Sequence, residues 1–230
     1  MMKMQNIFRR TFFSVLFSIF LSSCAMAGTN ASDSYPDLWW KAIPDDQVAG
    51  WEVPPQAADR SKGEVVLSKR NELGQFSNLG AVGFTLDGVQ YASVEGLWQG
   101  MKYPESASDE RALDKSVVWA YTRDQVYAMS GFDAKKAGDL ANANMKKLGI
   151  KWVTYKGEKI VYNGEGQSRH YELILSACRA KIQQNAELKR LLVSTAPLTF
   201  LADHKQAVGT LPSYRYNEIY FKIRGEVLGR

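Results

Sequence analysis

The sequence predicts an α+β fold that is rich in helix and forms a single domain with a few short strands. Segments with apolar residues at helical spacing outnumber the strand-like segments. The strand-like segments do not alternate with the helices, so the pattern does not favour a parallel sheet built from β-α-β units. About 170 residues follow position 60, which is enough for one domain with a full hydrophobic core.

The first elements of this domain are predicted to be strands. Residues 64–68 read Glu-Val-Val-Leu-Ser and favour an extended conformation. Residues 84–86 and 89–91 flank Asp87 and Gly88, a pair that is typical of the two-residue turn of a β-hairpin.

A short helix is predicted directly after the hairpin. Ser93 is placed to cap it, because its hydroxyl can accept a hydrogen bond from a free N–H group of the first turn. Glu95 lies in that first turn, where the helix dipole favours the ionised acid. Leu97 and Met101 fall on an apolar side. The opposite side is formed by residues spaced i, i+3, i+4 and i+7: Glu95, Trp98, Gln99 and Lys102. This face reads either as a functional site or as a solvated or structural surface.

Further helices are predicted at residues 122–129, 134–148, 168–184 and 186–194. Residues 216–228 form either a closing helix or a strand followed by a helix, because their aromatic residues suit both. Cys178 falls in the apolar stripe of the 168–184 helix, which predicts a buried, unreactive thiol.

Residues 1–23 are predicted to be a lipoprotein-type signal peptide. Lys3, Arg9 and Arg10 precede an apolar run that is too short for a comfortable membrane span. The run ends in Leu-Ser-Ser-Cys, which resembles a bacterial lipobox and predicts lipidation of Cys24. A competing cleavage site of the Ala-x-Ala type ends at Ala27. The first alternative predicts a periplasm-facing lipoprotein, in the outer membrane because Ala25 follows the cysteine; the second predicts a soluble periplasmic protein.

Residues 24–60 are predicted to be a tether and an aromatic arm, and residues 61–230 the folded domain. Residues 24–36 are rich in small and polar residues. Residues 37–55 contain three tryptophans and are interrupted by proline, so we expect them to pack as an irregular arm on the domain.

Several function classes are disfavoured. His170 and His204 are far apart and no Cys/His cluster has zinc spacing, so neither a metal nor a cofactor is expected. The formal net charge of +5 falls to about +2 without the three cations of the signal segment, which leaves no strong case for nucleic acid. Residues 164–168 read either as a plain turn or as a weak phosphate-binding loop.

A combination of segments favours a site for a planar heterocycle joined to a sugar. Phe76 and Asn78 lie in a turn before the hairpin, and Trp152 follows a helix. Phe76 and Trp152 are equally compatible with core positions, and Asn78 with a turn. Together with Glu95 they would supply an aromatic surface, amide hydrogen bonds and one ionised acid.

The same segments resemble the NADAR family, also called YbiA-like. Residues 76–78 and 91–102 are similar to the family pattern F-S-N-F…W-x-T-x-E-H-Y-x-Q-x-x-K, and residues 178–197 are similar to its R-A-K-F-x-Q-N-x-E-L-x-x-L-L-x-T-A-P segment. The resemblance runs in order from about residue 68 to the C-terminus. Gly96 stands where the family has His, and the family's D-x-x-W-G segment is missing. The resemblance therefore describes a divergent, exported member.

The resemblance implies an N-glycosidase that hydrolyses the N-glycosidic bond of an ADP-ribose-like or ribosylated heterocyclic nucleotide. It implies Glu95 as the catalytic acid and Asp203 as a weaker second acid. Substrate-binding residues are then expected among the polar and aromatic positions that match or neighbour the motif: Phe76, Asn78, Trp98, Gln99, Lys102, Trp152 and Asn217. Predicted partners are a small-molecule nucleotide or ADP-ribosylated substrate, and the membrane through a lipid anchor. The alternatives are a non-catalytic nucleotide-binding lipoprotein of the cell envelope, or an interaction domain that uses the aromatic arm.

Overall fold

The computed structural model describes residues 35–164 and 167–230 and confirms a helix-rich α+β fold. The predicted signal segment and Cys24 lie outside the described residues. None of the helices in the described ranges is both long and apolar enough to cross a membrane. The strands are β1 (Glu64–Val66), β2 (Phe84–Leu86), β3 (Val89–Tyr91), β4 (Val153–Tyr155), β5 (Glu158–Ile160) and β6 (Thr199–Leu201). The helices are α1 (Val94–Gly100), α2 (Glu110–Leu113), α3 (Arg123–Tyr127), α4 (Gly131–Lys147), α5 (Gln167–Gln184), α6 (Ala186–Ser194) and α7 (Tyr216–Val227).

The described strands form three two-stranded sheets. β1 and β6 are parallel, with Val65 opposite Phe200, whereas β2–β3 and β4–β5 are antiparallel hairpins. Because the carboxyl ends of parallel strands lie at the same edge, the chain after β1 meets the chain after β6. This pairing brings Lys69 next to Asp203.

The hairpin and α1 form as predicted. Asp87 and Gly88 have positive φ angles of 50° and 82°, as a two-residue hairpin turn with a matching twist requires. The Gly96 N–H donates to the Ser93 hydroxyl at 2.8 Å, so Ser93 is the N-cap of α1. A Cβ atom at Gly96 would lie 2.5 Å from the Met129 carbonyl oxygen. The histidine of the family pattern therefore has no room at this position, because the chain after α3 occupies its space.

The longer helices match the predicted segments to within a few residues, and residues 216–227 form a helix rather than a strand followed by a helix. Four short elements were not predicted from the sequence: α2, β4, β5 and β6. These elements are three or four residues long, so they carry too few residues for a periodic pattern. β6 pairs with a strand more than 130 positions away, which no local pattern records.

The core is built around α1 and α5. Leu97, Met101 and Cys178 are fully buried in it, and burial raises the pKa of the Cys178 thiol to about 11. The thiol is therefore protonated and enclosed, as predicted. Within the arm, Trp39 is buried and donates from Nε1 to Glu72 at 2.6 Å, whereas Trp51 is 50% exposed.

Two buried arginines hold the turn that follows α1. Arg111 donates to the carbonyl oxygens of Met101 and Lys102 at 3.0 and 3.1 Å. Arg123 donates from Nη2 to the Tyr103 carbonyl at 2.5 Å. Buried carbonyls need such donors, because an unpaired one costs about 1–3 kcal/mol. The arginines thereby fix the position of Lys102.

Candidate functional site

A cavity of about 780 Å³ lies between α1, α4 and the loops that follow β1, β5 and β6. Five of the predicted site residues line it: Asn78, Glu95, Trp98, Gln99 and Lys102. The polar face of α1 is thus buried and forms one wall of this cavity, and Trp98 also packs in the hydrophobic core.

Glu95 is the buried acid of this wall. It is 8% exposed, its N–H donates to the Asn78 carbonyl at 2.9 Å, and its Oε1 accepts from Gln99 Nε2 at 2.6 Å. Burial raises the pKa of Glu95 above its usual range, while the hydrogen bond from Gln99 and the charge of Lys102 act in the opposite direction. The expectation that the helix dipole dominates is therefore wrong. The dipole of a seven-residue helix is weaker than the cost of desolvating the carboxylate.

Gln99 is held in place by close packing against α4. A Cβ atom at Gly138 would lie 1.7 Å from the Gln99 Oε1 atom, so the glycine makes room for the amide. Gln99 Oε1 is buried and accepts no hydrogen bond within the described part of the chain. The Gln99 Nε2 atom thus faces Glu95, and the Oε1 atom faces α4. Gln99 is therefore a positioning residue for the acid.

We predict that Gly138→Ala destabilises the protein. Alanine is the better helix former by about 1 kcal/mol, but its methyl group must displace the Gln99 amide, and overpacking of this kind costs about 1–3 kcal/mol. Thermal unfolding should show a lower Tm. The matched control is Gly225→Ala on α7, where the nearest atom to a new Cβ is 3.7 Å away, and an unchanged or higher Tm is expected. A Tm for Gly138→Ala equal to or above that of the wild type would contradict the packing role.

Lys102 presents a buried ammonium group to the cavity. Lys102 is 4% exposed, and its Nζ atom lies 4.8 Å from the centroid of the Trp98 ring. Within residues 35–164 and 167–230 it makes no hydrogen bond and no ion pair within 4.0 Å, Glu95 included. Burial lowers the pKa of Lys102 to about 8, against the opposing influence of Glu95. An unpaired buried cation of this kind is a ready partner for an anionic ligand.

The turn that carries Asn78 is held by hydrogen bonds from α5. Lys181, on α5 and fully buried, donates to the carbonyl oxygens of Gln75 and Ser77 at 2.6 and 3.0 Å. Asn78 Oδ1 is buried and has no partner in the described ranges. It can therefore accept a hydrogen bond from a ligand hydroxyl or amine.

Trp98 lines the cavity, but its ring is largely covered. His170 lies 4.3 Å from the Trp98 ring at an interplanar angle of 36°, and the Lys102 ammonium lies 4.8 Å from the same ring. Tyr162 and Tyr214 meet Trp98 edge-on, at 5.1 and 6.1 Å. Trp98 is therefore the base of an aromatic cluster, and the exposed parts of that cluster belong to the two tyrosines.

Asp203 lies behind the cavity surface instead of on it. The carboxylate is 2% exposed and contacts the Lys69 ammonium, the His204 ring at 2.9 Å and the Tyr216 hydroxyl at 2.8 Å. Although burial alone would raise it, the pKa of Asp203 is lowered by hydrogen bonds from these three groups. Lys69, His204 and Tyr216 line the cavity, so Asp203 positions these residues.

The structure does not bring three other predicted residues to the cavity. Phe76 is fully buried in the core, 5.2 Å from the Tyr220 ring. Asn217 lies on α7 and donates from Nδ2 to the Phe200 carbonyl oxygen at 3.2 Å. Trp152 lines a different, smaller cavity, where its ring is contacted by Arg111 at 4.7 Å and Lys159 at 4.4 Å. The β4–β5 hairpin turns it away from Glu95.

The cavity contains residues that the sequence analysis missed. Aromatic side chains come from the arm, from α4, and from the loops before α5 and α7: Trp51, Phe132, Tyr162 and Tyr214. Lysines come from the loops after β1 and β6 and from α4: Lys69, Lys135 and Lys205. Tyr162 lies just before residues 164–168, which were interpreted from the sequence as a plain turn or a weak phosphate-binding loop. The others come from segments without a motif.

Comparisons with known proteins leave the family open. The solved structure of the Escherichia coli protein YbiA is similar to this chain at 20% sequence identity and a TM-score of 0.44, over 70% of this chain and 82% of that one. No family model matches the chain, and no curated protein matches it. Membership of the NADAR family therefore stays a prediction from the two sequence blocks.

The arrangement combines one acid, several cations and aromatic edges. The carboxylates that line the cavity in the described ranges are Glu95 and Asp139, and Asp139 pairs with Lys135 at 2.7 Å. No group of three or more His, Cys, Asp or Glu in these ranges is placed to hold a metal ion. The cavity can therefore bind an anion at Lys102 and present a single carboxylate beside it.

Proposed function

We propose that the protein hydrolyses the N-glycosidic bond of a phosphorylated ribosyl or ADP-ribose-like nucleotide. The observation that supports this most is the placement of Glu95 and Lys102. Both are buried, both line one cavity, and their charged groups are more than 4.0 Å apart. An acid and a cation that do not neutralise each other are both available to a ligand.

The carboxylate of Glu95 is suited to the chemistry of this bond. As the bond between the anomeric carbon and the nitrogen breaks, its electron pair leaves with the nitrogen and positive charge builds on the sugar. An adjacent carboxylate stabilises that charge and takes a proton from the attacking water, whose oxygen bonds to the anomeric carbon. The proton then passes to the departing nitrogen. Lys102 would hold a phosphate of the substrate, and Asn78 a sugar hydroxyl.

The proposal is tested by product analysis. The full chain is incubated with ribosylated heterocycle 5′-phosphates and with ADP-ribose conjugates, and the released base is separated and quantified. Release of a free base with a matching amount of sugar phosphate supports the proposal. Absence of product from ligands that do shift the thermal unfolding of the protein would overturn it.

A non-catalytic nucleotide-binding role is the second candidate. The position of Asp203 favours it, because the cavity then lacks the second acid that the family resemblance implies. The predicted export supports it as well, since ADP-ribose-like nucleotides are mainly cytoplasmic. Ligand-induced stabilisation without turnover is the result expected for this role. An interaction domain based on the arm would give neither stabilisation nor turnover.

We predict that activity falls on both sides of neutral pH. The pKa of Lys102 is lowered to about 8. Its ammonium form therefore predominates below that pH and is lost as pH rises through it. The pKa of Glu95 is raised, so its carboxylate is lost at a higher pH than for an ordinary glutamate as the solution becomes acidic. A pH profile of kcat/KM should therefore be bell-shaped, with its alkaline limb near pH 8.

Lys102→Met serves as the control for this prediction. This substitution should remove the alkaline limb of the pH profile and weaken the binding of phosphorylated ligands. It should also raise the Tm at neutral pH, because an apolar side chain replaces a buried charge. The gain in Tm should shrink as pH rises from about 8 towards 10, because the folded wild type then releases a proton that the unfolded chain retains. An alkaline limb that persists in Lys102→Met would assign it to another group.

A further inference from the structure

Trp51 is an exposed indole on a firmly held turn of the N-terminal arm. The side chain is 50% exposed and lines the cavity. The turn is held by backbone hydrogen bonds to the chain after β6, from Lys205 N–H to the Trp51 carbonyl at 3.0 Å and from Val53 N–H to the Asp203 carbonyl at 2.9 Å. An indole that is half exposed on an ordered turn presents a large aromatic surface to whatever enters the cavity.

The same turn is tied to the domain by an ion pair between a buried carboxylate and an exposed guanidinium. Glu52 is 7% exposed and pairs with Arg70 at 2.7 Å. Glu52 also forms an isolated β-bridge with His204. The arm is thus a fixed part of the cavity wall, and its indole is presented at a defined place.

Two lysines border Trp51, and one of them, Lys69, also contacts the Asp203 carboxylate. The Lys69 ammonium lies 5.4 Å from the centroid of the Trp51 ring. Lys205 donates from Nζ to the Gly50 carbonyl at 2.9 Å, which keeps its charge beside the turn. His204 lines the cavity next to them. An aromatic surface bordered by two lysines suits a ring that carries a negatively charged substituent.

The aromatic ring of a ligand cannot stack on Trp98 in place of Trp51. The Trp98 ring is contacted by His170 at 4.3 Å and by the Lys102 ammonium at 4.8 Å, and Trp98 is only 7% exposed. Trp51 offers a free aromatic surface in the same cavity. Trp51 belongs to the arm and Glu95 to α1, so a ligand that contacts both uses two separate parts of the cavity wall.

We infer that Trp51, Lys69 and Lys205 form a second subsite for an aromatic base carrying a phosphate group, in the same cavity as Glu95. This inference rests on the proposed function, because it assigns the sugar end of the ligand to Glu95. It selects the dinucleotide-like ligands among the possible substrates, since a single ribosyl phosphate would leave Trp51 unused. It also makes the arm, which lies before the predicted domain, a part of the binding site.

Calorimetric binding to the full chain tests the subsite with two probes. ADP-ribose carries a distal base, whereas ribose 5-phosphate does not. Trp51→Ala should weaken ADP-ribose binding by about tenfold or more, because stacking of a base on an aromatic side chain contributes this much or more. It should leave ribose 5-phosphate binding within about twofold. Trp51→Phe should restore most of the lost affinity. Leu38→Ala, which changes another exposed apolar residue of the arm that does not line the cavity, should change neither affinity.

The outcomes separate this inference from the proposed function. An equal loss for both probes, or no loss for either, would overturn the stacking subsite. Binding of neither probe by the wild type would overturn it as well. Selective loss of ADP-ribose binding supports the subsite even when product analysis finds no hydrolysis, in which case only the proposed reaction fails.

Discussion

Glu95→Gln is expected to lower turnover by about 10²–10⁴-fold while ligand affinity stays within a few-fold. That range is typical for the loss of a general acid or base. Glutamine keeps the shape of the side chain and can still accept the hydrogen bond that Gln99 donates at 2.6 Å. It cannot take a proton from water or stabilise positive charge on the sugar. Single-turnover release of base, measured beside calorimetric binding, separates the two effects.

The same substitution should make the protein more stable at neutral pH. Burial raises the pKa of Glu95, so the charged form destabilises the folded state wherever the carboxylate is ionised. The gain in Tm should therefore be largest above the raised pKa and should disappear as pH falls towards 4. Loss of turnover together with a higher Tm is the signature of an acid that is kept for function at the expense of stability.

Asp139→Asn is the matched control for Glu95→Gln. Asp139 also lines the cavity, but its side chain is 57% exposed and pairs with Lys135. The same loss of one carboxylate charge there should change turnover only a few-fold. Wild-type turnover by Glu95→Gln, or equal losses for both variants, would contradict the assignment of Glu95.

Arg111→Met is expected to lower the free energy of unfolding by about 3–5 kcal/mol. Arg111 is fully buried, pairs with Asp109 at 2.7 Å and donates to two carbonyl oxygens behind α1. Methionine fills the volume but leaves Asp109 without its cation and the Lys102 carbonyl without its side-chain donor, and breaking a buried pair from one side costs this much. Denaturant unfolding measures the change. Arg190→Met, on an exposed pair with Glu187, should stay within about 0.5 kcal/mol.

The pair also predicts a pH dependence of stability. Although burial alone would raise it, the pKa of Asp109 is lowered to about 2 by hydrogen bonds from Arg111 and from backbone N–H groups. The stabilisation from this pair is therefore present above about pH 4 and is lost as pH falls towards 2. Arg111→Met should show a weaker acid dependence over this range. A loss of stability below about 1 kcal/mol at neutral pH would mean that the guanidinium is not needed to hold the turn after α1.

Much of the site wall on α1 could be predicted from the sequence, whereas the rest of the cavity could not. The spacing of Glu95 and Gln99 places them on one face of α1, because a helix has one geometry wherever it forms, and Lys102 lines the same cavity from the turn that follows. Trp152 was predicted from its aromatic side chain and from the family resemblance, and no helical spacing ties it to α1. The β4–β5 hairpin decides its direction, and it leads to Arg111 instead of Glu95.

Local interactions determined what the sequence established by itself: the hairpin turn at Asp87, the cap at Ser93 and the periodic helices. Each depends on residues a few positions apart, whose contacts are the same in any fold. The tertiary structure alone decided that Lys69 and Trp51 line the same cavity as Glu95, and that burial outweighs the helix dipole at Glu95. Stacking surfaces and pKa values depend on which distant segments exclude water from a group, and that is known only once the whole chain has folded.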